Sequence, residues 1–590
     1  MNEFTPKLVL DSRIHDITDK VDVAVESSGS QSTYQNFPSV NSSNSSITFN
    51  VNVPSENIAV DRRILLQTDF TFTVDITNVP ATKNAFCWGE TDGFGQFPLN
   101  ACFSQVQATI NSASVNVPLD DVMAPLLRLC DQSQVSEMNL TTASYLDKTF
   151  STLTGMEDYS SNPLSGGNKL NYNDKIQPRG LLTPSAISVA HYVEGTGDPD
   201  TALTSSGVSD TWTIAITTTL TEPLLFLSPF TGLVPTNDNA CFLGINNMNI
   251  VCNIGSLGNI YKTTNSYNYS VSLGKATTGA DGFSNPKLLM NFLTLQPEQW
   301  SRINTRNVLP IQSYPRFVST WSGTYATDSS DTFTFPVIQL NQIPDTLLIF
   351  VRPPKSDNNP KKQTGFLSIE SASISFNNQS GILASCSPQE LYNISKMNGS
   401  QQTWSEFSGY MNVGQTINDP NTLTETNVTV STQGSLLVVK PAYNFNLPSF
   451  LSSGSLGQYG LQVSLKAYNR LGYIVSNPEM VVIAVNSGIM VTQQGSTSLY
   501  SGLLTKEMVL SAKQQKPVID SSTYNKLVGG GVQESCKTAL RNVVKKHFGT
   551  SKGAGASGGG ASGGGMSGGS LLGHQIGQYS GAVNKMSKYI

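Results

Sequence analysis

The chain has 590 residues, 38% hydrophobic but only 13% charged, with a formal net charge of −5. Soluble domains usually carry about 25% charged residues, so the polarity here rests on Ser, Thr, Asn and Gln, which bring little Coulomb repulsion when many copies pack face to face. The longest apolar runs, Thr346 to Val351 and Met480 to Val485, fall far short of the ~18 residues of a spanning helix; the length suits two large β domains.

Seven cysteines, Cys87, Cys102, Cys130, Cys241, Cys252, Cys386 and Cys536, are odd in number and form no Cys-x-x-Cys pair. They read as buried reduced thiols from a reducing compartment. The first residues, Met1 to Lys7, are polar and lack the apolar stretch of a signal peptide.

Residues 1–45 read as an N-terminal arm that ends in a polar run, Val40 to Ser46, and either extends to neighbouring subunits by strand addition or frays. Period-two alternation follows. Phe70, Phe72, Val74 and Ile76 share one face of a half-buried strand, as do Trp212, Ile214 and Ile216, and Leu461, Val463, Leu465 and Ala467. Leu436–Val439 and Val481–Val485 are continuous apolar strands bounded by Gly, Pro and Asn. Such spacing, with few helical patterns between strands, predicts an all-β chain of sandwiches.

Two helices stand out. Leu119 to Leu129 follows Pro118 and has Asp120 and Asp121 in its first turn, where the helix dipole favours acids, while Pro125 shortens or kinks it. Ser387-Pro388-Gln389-Glu390 is a capping box, and Leu391, Ile394 and Met397 continue at helical spacing until Gly399. Between them, Asn139 to Ser188 is rich in Ser, Thr, Asn and Gly with Tyr145, Phe150, Tyr159 and Tyr172 as anchors; it reads as an ordered, tower-like insertion between strands in preference to a plain disordered loop.

The halves begin alike. Thr48 to Val51 leads through Asn57 to Asp61 into Ile64 to Leu66, and Thr334 to Val337 leads through Asn341 to Asp345 into Leu347 to Ile349, each with a short helix some tens of residues on. Each half exceeds 150 residues, enough for the eight strands of a jelly roll. The boundaries are an arm at 1–45, a first jelly roll at 46–300, a second at 301–515 and a tail at 516–590.

The tail is Gly/Ser-rich and basic: from Gly531 to Ile590 seven basic residues face one acid, a net +6, leaving the remainder near −11. Glu534 to Phe548 reads as an amphipathic helix with Lys537, Arg541 and Lys545 on its basic face, joined by Lys546, opposite Cys536, Leu540, Val543, Val544 and Phe548. It either touches genome, membrane or scaffold, or is a solvated helix on the flexible tether of 549–569. Leu527-Val528-Gly529-Gly530 before Gly531, and Met566-Ser567-Gly568-Gly569 before Ser570, have the form large-aliphatic, any residue, Gly-Gly. A protease that binds substrate as an extended strand fills a pocket with Leu or Met and passes the glycines through a narrow channel. This form resembles the substrate signature of adenovirus-type cysteine proteases; Leu164 to Gly167 also matches it.

Enzymatic signatures are lacking: no phosphate-binding glycine loop, no His-Glu-x-x-His and no cysteine spacing for metal. Of His15, His191, His547 and His574 only His191 falls inside the body, and the Gly-x-Ser-x-Gly matches at Ser557, Ser562 and Ser567 lie in a glycine tract that forms no nucleophile elbow. No catalytic, cofactor-binding or metal residue is assigned.

The tandem sandwiches with a helix in each, the phrase Ile343 to Pro354 and the Gly-Gly sites together resemble the major capsid proteins of virophages, Polintons and adintoviruses, in the double-jelly-roll lineage of adenovirus hexons. The likeness covers Ser46 to about Leu510. It implies a homotrimer with six sandwiches around a three-fold axis, a pseudo-hexagonal capsomer tiling an icosahedral shell in the virion. It also implies a minor or penton capsid protein as partner and a viral maturation protease that cuts after Gly530. The competing class is a jelly-roll adhesin or carbohydrate-binding surface protein, against which the lack of a signal peptide and of disulfides counts. A jelly-roll glycoside hydrolase would need paired carboxylates facing a cleft, and no pattern supports it.

Overall fold

The computed structural model describes residues 30–502 except 56–57, 80–85, 87, 89–91, 96, 131–183, 193–209, 225–240, 264–266, 275–281, 296–305, 358–364, 420–423, 449–450 and 494. Two antiparallel β-sandwiches follow one another, a double jelly roll.

In the first, the central strands of one sheet run in space as Ile58–Asp61, Phe283–Leu295, Leu65–Val79, Asp210–Pro223 and Ala186–Tyr192. The facing sheet runs Ser46–Asn52, Asn247–Ile254, Phe103–Ile110, Ala113–Val117. Register sets Ile250 opposite Phe49 on one side and Ala108 on the other, and Val74 opposite Ile214. The alternation read in Phe70 to Ile76 therefore fills the space between the sheets, where all four side chains are fully buried. In the second sandwich one sheet holds Arg306–Ser313, Glu479–Gln493, Thr346–Arg352 and Leu437–Val439, and the other Ser330–Thr334, Leu456–Tyr468, Ser368–Phe376 and Gln379–Ile382.

The repeat is visible in the pairing. Strand 103–110, its hairpin partner 113–117 and the following helix Leu119–Leu127 have the same order and neighbours as strand 368–376, partner 379–382 and helix Pro388–Met397. Both helices therefore occupy the same connection in their jelly rolls. The repeat also starts earlier than residue 46: Ser30–Pro38 pairs antiparallel with 287–295, as Arg306–Ser313 pairs with 486–493. That part of the arm belongs to the sheet of its own jelly roll, while residues 1–29 lie outside the described ones. One stretch of the sequence repeat departs from equivalence. Ile58–Asp61 joins the sheet of Phe283–Leu295, whereas of its counterpart, 342–345, only Gln342 is in a strand, and that strand, Ile338–Gln342, joins the opposite sheet through Leu456–Tyr468.

The continuous apolar strands have a physical reason. Leu347, Ile349, Leu437, Val439, Val482 and Ala484 face the second jelly roll's own core. Their neighbours Leu348, Phe350, Val438, Val481 and Ile483 belong to the core of the first. A sheet covered on both faces has no polar side, so its strands carry no alternation.

The helix Pro388–Met397 forms with its capping box intact: Ser387 accepts from the Glu390 amide, and Glu390 accepts from the Ser387 amide at 2.7 Å. Its buried face differs from the apolar spacing, since Leu391 is buried but Met397 is 73% exposed. The inner face is instead Leu391, Ser395 and Asn398. Ser395 Oγ accepts from the Val438 amide at 3.1 Å, and Asn398 Nδ2 donates to the Val438 carbonyl at 2.9 Å. These two side chains hold the helix to the buried edge backbone of the short strand Leu437–Val439, which an all-apolar face could not satisfy.

Candidate functional site

For a chain without a catalytic signature, the informative place is where the two jelly rolls meet. Helix Leu119–Leu127 buries Leu119, Val122 and Leu126, and carries Asp120 and Asp121 to the second jelly roll. Arg352, at the end of its strand, donates from Nη2 to Asp121 Oδ1 at 2.6 Å and from Nε to Glu479 Oε2 at 3.0 Å. Lys355 Nζ lies 2.7 Å from both Asp120 Oδ2 and Asp121 Oδ1. Arg316 closes the group, touching Asp121 Oδ2 and lying 3.5 Å from Asp120 Oδ1.

Three carboxylates, Asp120, Asp121 and Glu479, thus face three cations, Arg316, Arg352 and Lys355, and the cluster is neutral as a whole. Such balance is what partial burial demands, because an unpaired charge out of water is costly. The electrostatics separate the two aspartates. Burial pushes the Asp120 carboxyl above its ordinary range, with the neighbouring Asp121 charge adding to the push. Burial alone would raise Asp121 too, but Arg352 and Lys355 together outweigh it and hold Asp121 below the usual carboxylate range. Asp121, with no side-chain exposure, is the ionised centre of the cluster.

Two turns further on, just past the helix end, Arg128 is buried. Its guanidinium sits 3.7 Å over the Phe366 ring, and it donates to the carbonyls of Ala124 at 3.1 Å and Gln433 at 3.3 Å. Phe366 in turn stacks on Phe350 at 4.2 Å. Burial brings the Arg128 pKa down to about 9, opposed by the charge of Glu406, so it stays cationic at neutral pH. A second seam joins the sandwiches elsewhere: Asn111 Nδ2 donates to Thr497 Oγ1 at 2.9 Å, and Thr492 Oγ1 to the Leu243 carbonyl at 2.7 Å.

The sequence placed Asp120 and Asp121 in the helix's first turn but missed their partners. Arg352 ends the apolar phrase that begins at Ile343, and a cation closing a fully buried strand was the available signal. Arg316, Lys355 and Glu479 carried no local signal, because nearly 200 residues or more separate them from the helix, and Arg128, one residue past the helix, has its partners Phe366 and Gln433 on the far side of the seam. The processing residues Leu527, Gly529, Gly530, Gly531, Met566, Gly568, Gly569 and Ser570, and the basic residues Lys537, Arg541, Lys545 and Lys546, lie outside the described residues, as does Leu164 to Gly167. His191 falls on strand Ala186–Tyr192. Among the described cysteines, Cys102, Cys130 and Cys252 are buried free thiols, and Cys241 and Cys386 are free and half-buried. No group of three or more metal-ligating side chains occurs among the described residues, and none of their helices is long and apolar enough to cross a membrane.

Comparison with known proteins divides the chain at the same seam. Residues 2–293 match the family described as Sputnik virophage major capsid protein 1st domain, and residues 314–488 match the major capsid protein V20 C-terminal domain. A Sputnik virophage chain described as a capsid protein, V20, is 28% identical over 530 residues, covering 87% of this chain and 82% of that one. The Sputnik virophage structure determined by cryo-EM superposes with a TM-score of 0.68 at 23% identity, over 88% of this chain and 97% of that one. The mavirus major capsid protein does so with a TM-score of 0.57 at 15% identity, over 85% and 95%.

Proposed function

Because the chain belongs to the double-jelly-roll major capsid proteins of the virophage type, a structural component of the virion and not an enzyme, we propose that its working unit is a homotrimeric pseudo-hexagonal capsomer that tiles an icosahedral shell. The observation that carries this is the doubled jelly roll welded by a sheet buried on both faces: two equivalent sandwiches held rigidly in one chain make three copies a closed ring of six, and closure leaves no repeating contact free to grow into filaments. Size-exclusion chromatography with light scattering tests it. The expected species has three times the 63.4 kDa chain mass, and a monomer at every concentration overturns the trimer. A sugar-binding monomer would support an adhesin instead.

The chain is made as a precursor in this reading. A viral cysteine protease cuts after Gly530, with Gly569 as the second candidate site, and removes the +6 segment that holds capsomers on genome, membrane or scaffold during assembly. A minor or penton capsid protein completes the shell. The Leu164 to Gly167 match, which lies inside the first jelly roll's stretch of sequence and not in the tail, is expected to stay uncut in mature trimers. Intact-mass spectrometry of mature particles is expected to give a major chain ending Leu-Val-Gly-Gly at Gly530; a chain ending at Ile590 would refute the processing.

A further inference from the structure

The last described residues mark where the chain leaves the second jelly roll. Strand Ser496–Ser501 pairs antiparallel with 488–493, so continued pairing would set Gly502 and Leu503 opposite Ser487 and Asn486. That side of Asn486 is already taken. Asp345, one residue before strand Thr346–Arg352, donates its amide to the Val485 carbonyl at 3.0 Å, and its Oδ2 accepts from the Ser487 amide at 3.0 Å. The chain therefore has to turn out of the sheet at Gly502, whose φ of +63° lies in the left-handed region that glycine enters freely.

The turn brings the chain to one end of the sandwich. A Cβ on Gly502 would collide with Gln342 Oε1 and lie 2.6 Å from Leu456 Cδ2. Gln342 and Leu456 stand opposite each other, the next cross-strand pair after Leu340 and Tyr459, which belong to the core. As a surface this pair is incomplete. Leu456 is 48% exposed although it is in line with core positions, and Gln342, 6% exposed, has an amide Nε2 without a hydrogen-bond partner among the described residues. A bare leucine beside a buried donor is what a covering segment with apolar side chains and free backbone carbonyls completes.

The residues that come next have that composition. Leu503, Leu504, Met508, Val509 and Leu510 make five of the eight positions in 503–510 apolar, against 38% hydrophobic for the chain, and the polar run Lys513-Gln514-Gln515-Lys516 follows. We infer that residues 503–510 fold back as a strap across the end of their own copy's second jelly roll, with Leu503 and Leu504 covering Leu456 and a backbone carbonyl accepting from Gln342 Nε2. The occupant is the chain's own segment because it starts in place: Gly502 already lies against both Gln342 and Leu456, so no linker has to be ordered, whereas a second copy would have to displace it. The strap precedes Gly530 and so stays with the body whether or not the tail is removed. It sets the C-terminal limit of the fold near Leu510, and residues beyond that point can be lost without opening the sandwich.

Hydrogen exchange of the full chain, read by mass spectrometry, tests the strap. Amides of 503–510 are expected to exchange at least about tenfold more slowly than in a synthetic peptide of the same sequence. Leu456→Asp, a change at a half-exposed position, is expected to abolish that protection while strand Glu479–Gln493 keeps its own. A photo-cross-linking amino acid at Leu504, in a mixture of isotope-labelled and unlabelled copies, is expected to link within one copy to Gln342 or to 447–456. Peptide-like exchange of 503–510 in the unaltered chain overturns the inference, as do protection that survives Leu456→Asp and cross-links found only between differently labelled copies.

Discussion

Replacing Asp121 by Asn is expected to destabilise the double jelly roll by about 3–5 kcal/mol, the range for removing one partner of a buried ion pair. Asparagine keeps the shape, but Arg352, Lys355 and Arg316 then converge on a neutral group in a place with no exposure of the Asp121 side chain. Asp120→Asn is expected to cost less, because its side chain is 24% exposed and it shares only Lys355 and Arg316. Urea denaturation at neutral pH measures both; equal effects from the two variants would show that Asp121 is not the centre of the cluster. The acid dependence follows from the depressed Asp121 pKa. A carboxyl bound more weakly by protons when folded stabilises the fold above its unfolded pKa of about 3.9 and loses that contribution as pH falls through the folded value. The gap between wild type and Asp121→Asn is therefore expected to be full at neutral pH and to close below about pH 4. Asp120 acts in the opposite sense: its raised pKa means that protonation on acidification favours the folded state.

The fold was legible because its signals are local. Leu461 to Ala467 alternates as a half-buried strand and is one, and Phe70 to Ile76 is a strand whose polar side is covered too, with Thr71 and Thr73 buried; the capping box at Ser387 makes a helix. What escaped is what depends on a neighbour distant in sequence. Ser395 and Asn398 form the helix's inner face because the backbone of Leu437–Val439 needs hydrogen-bond partners, and nothing near position 395 announces that strand. Ser30–Pro38 is almost entirely polar and has no pattern of its own; its strand conformation is imposed by the edge of Phe283–Leu295. The same holds for the cluster at Asp121. In a chain with 13% charged residues, the few ions concentrated at one seam identify it as a specified contact, yet their meeting is visible only once both sandwiches are in place.

Gly434 is expected to be among the least replaceable residues at that seam. It adopts φ +78°, in the left-handed region, and a Cβ built there would lie 1.7 Å from the Phe366 carbonyl oxygen. Alanine would add the conformational cost, about 1–2 kcal/mol, to a collision with the backbone of Phe366 that can be relieved only by moving one of the two segments leading into Leu437–Val439 and Ser368–Phe376. Phe366 cannot move alone: its amide donates to the Gln433 carbonyl at 2.7 Å, and its ring carries the Arg128 guanidinium on one contact and Phe350 on another. Gly434 itself accepts from Gln402 Nε2 at 2.8 Å. Displacement there opens the contact between helix 119–127 and the second jelly roll, so Gly434→Ala is expected to cost about 3 kcal/mol or more. Gly381 supplies the control. Its φ is +73°, but the nearest atom to an added Cβ is Ala384 Cβ at 3.9 Å, so Gly381→Ala bears the conformational cost without the collision, about 1–2 kcal/mol. Comparing the two variants by thermal and urea unfolding isolates the steric part; if they lose the same stability, close packing of Gly434 on Phe366 does not hold the seam.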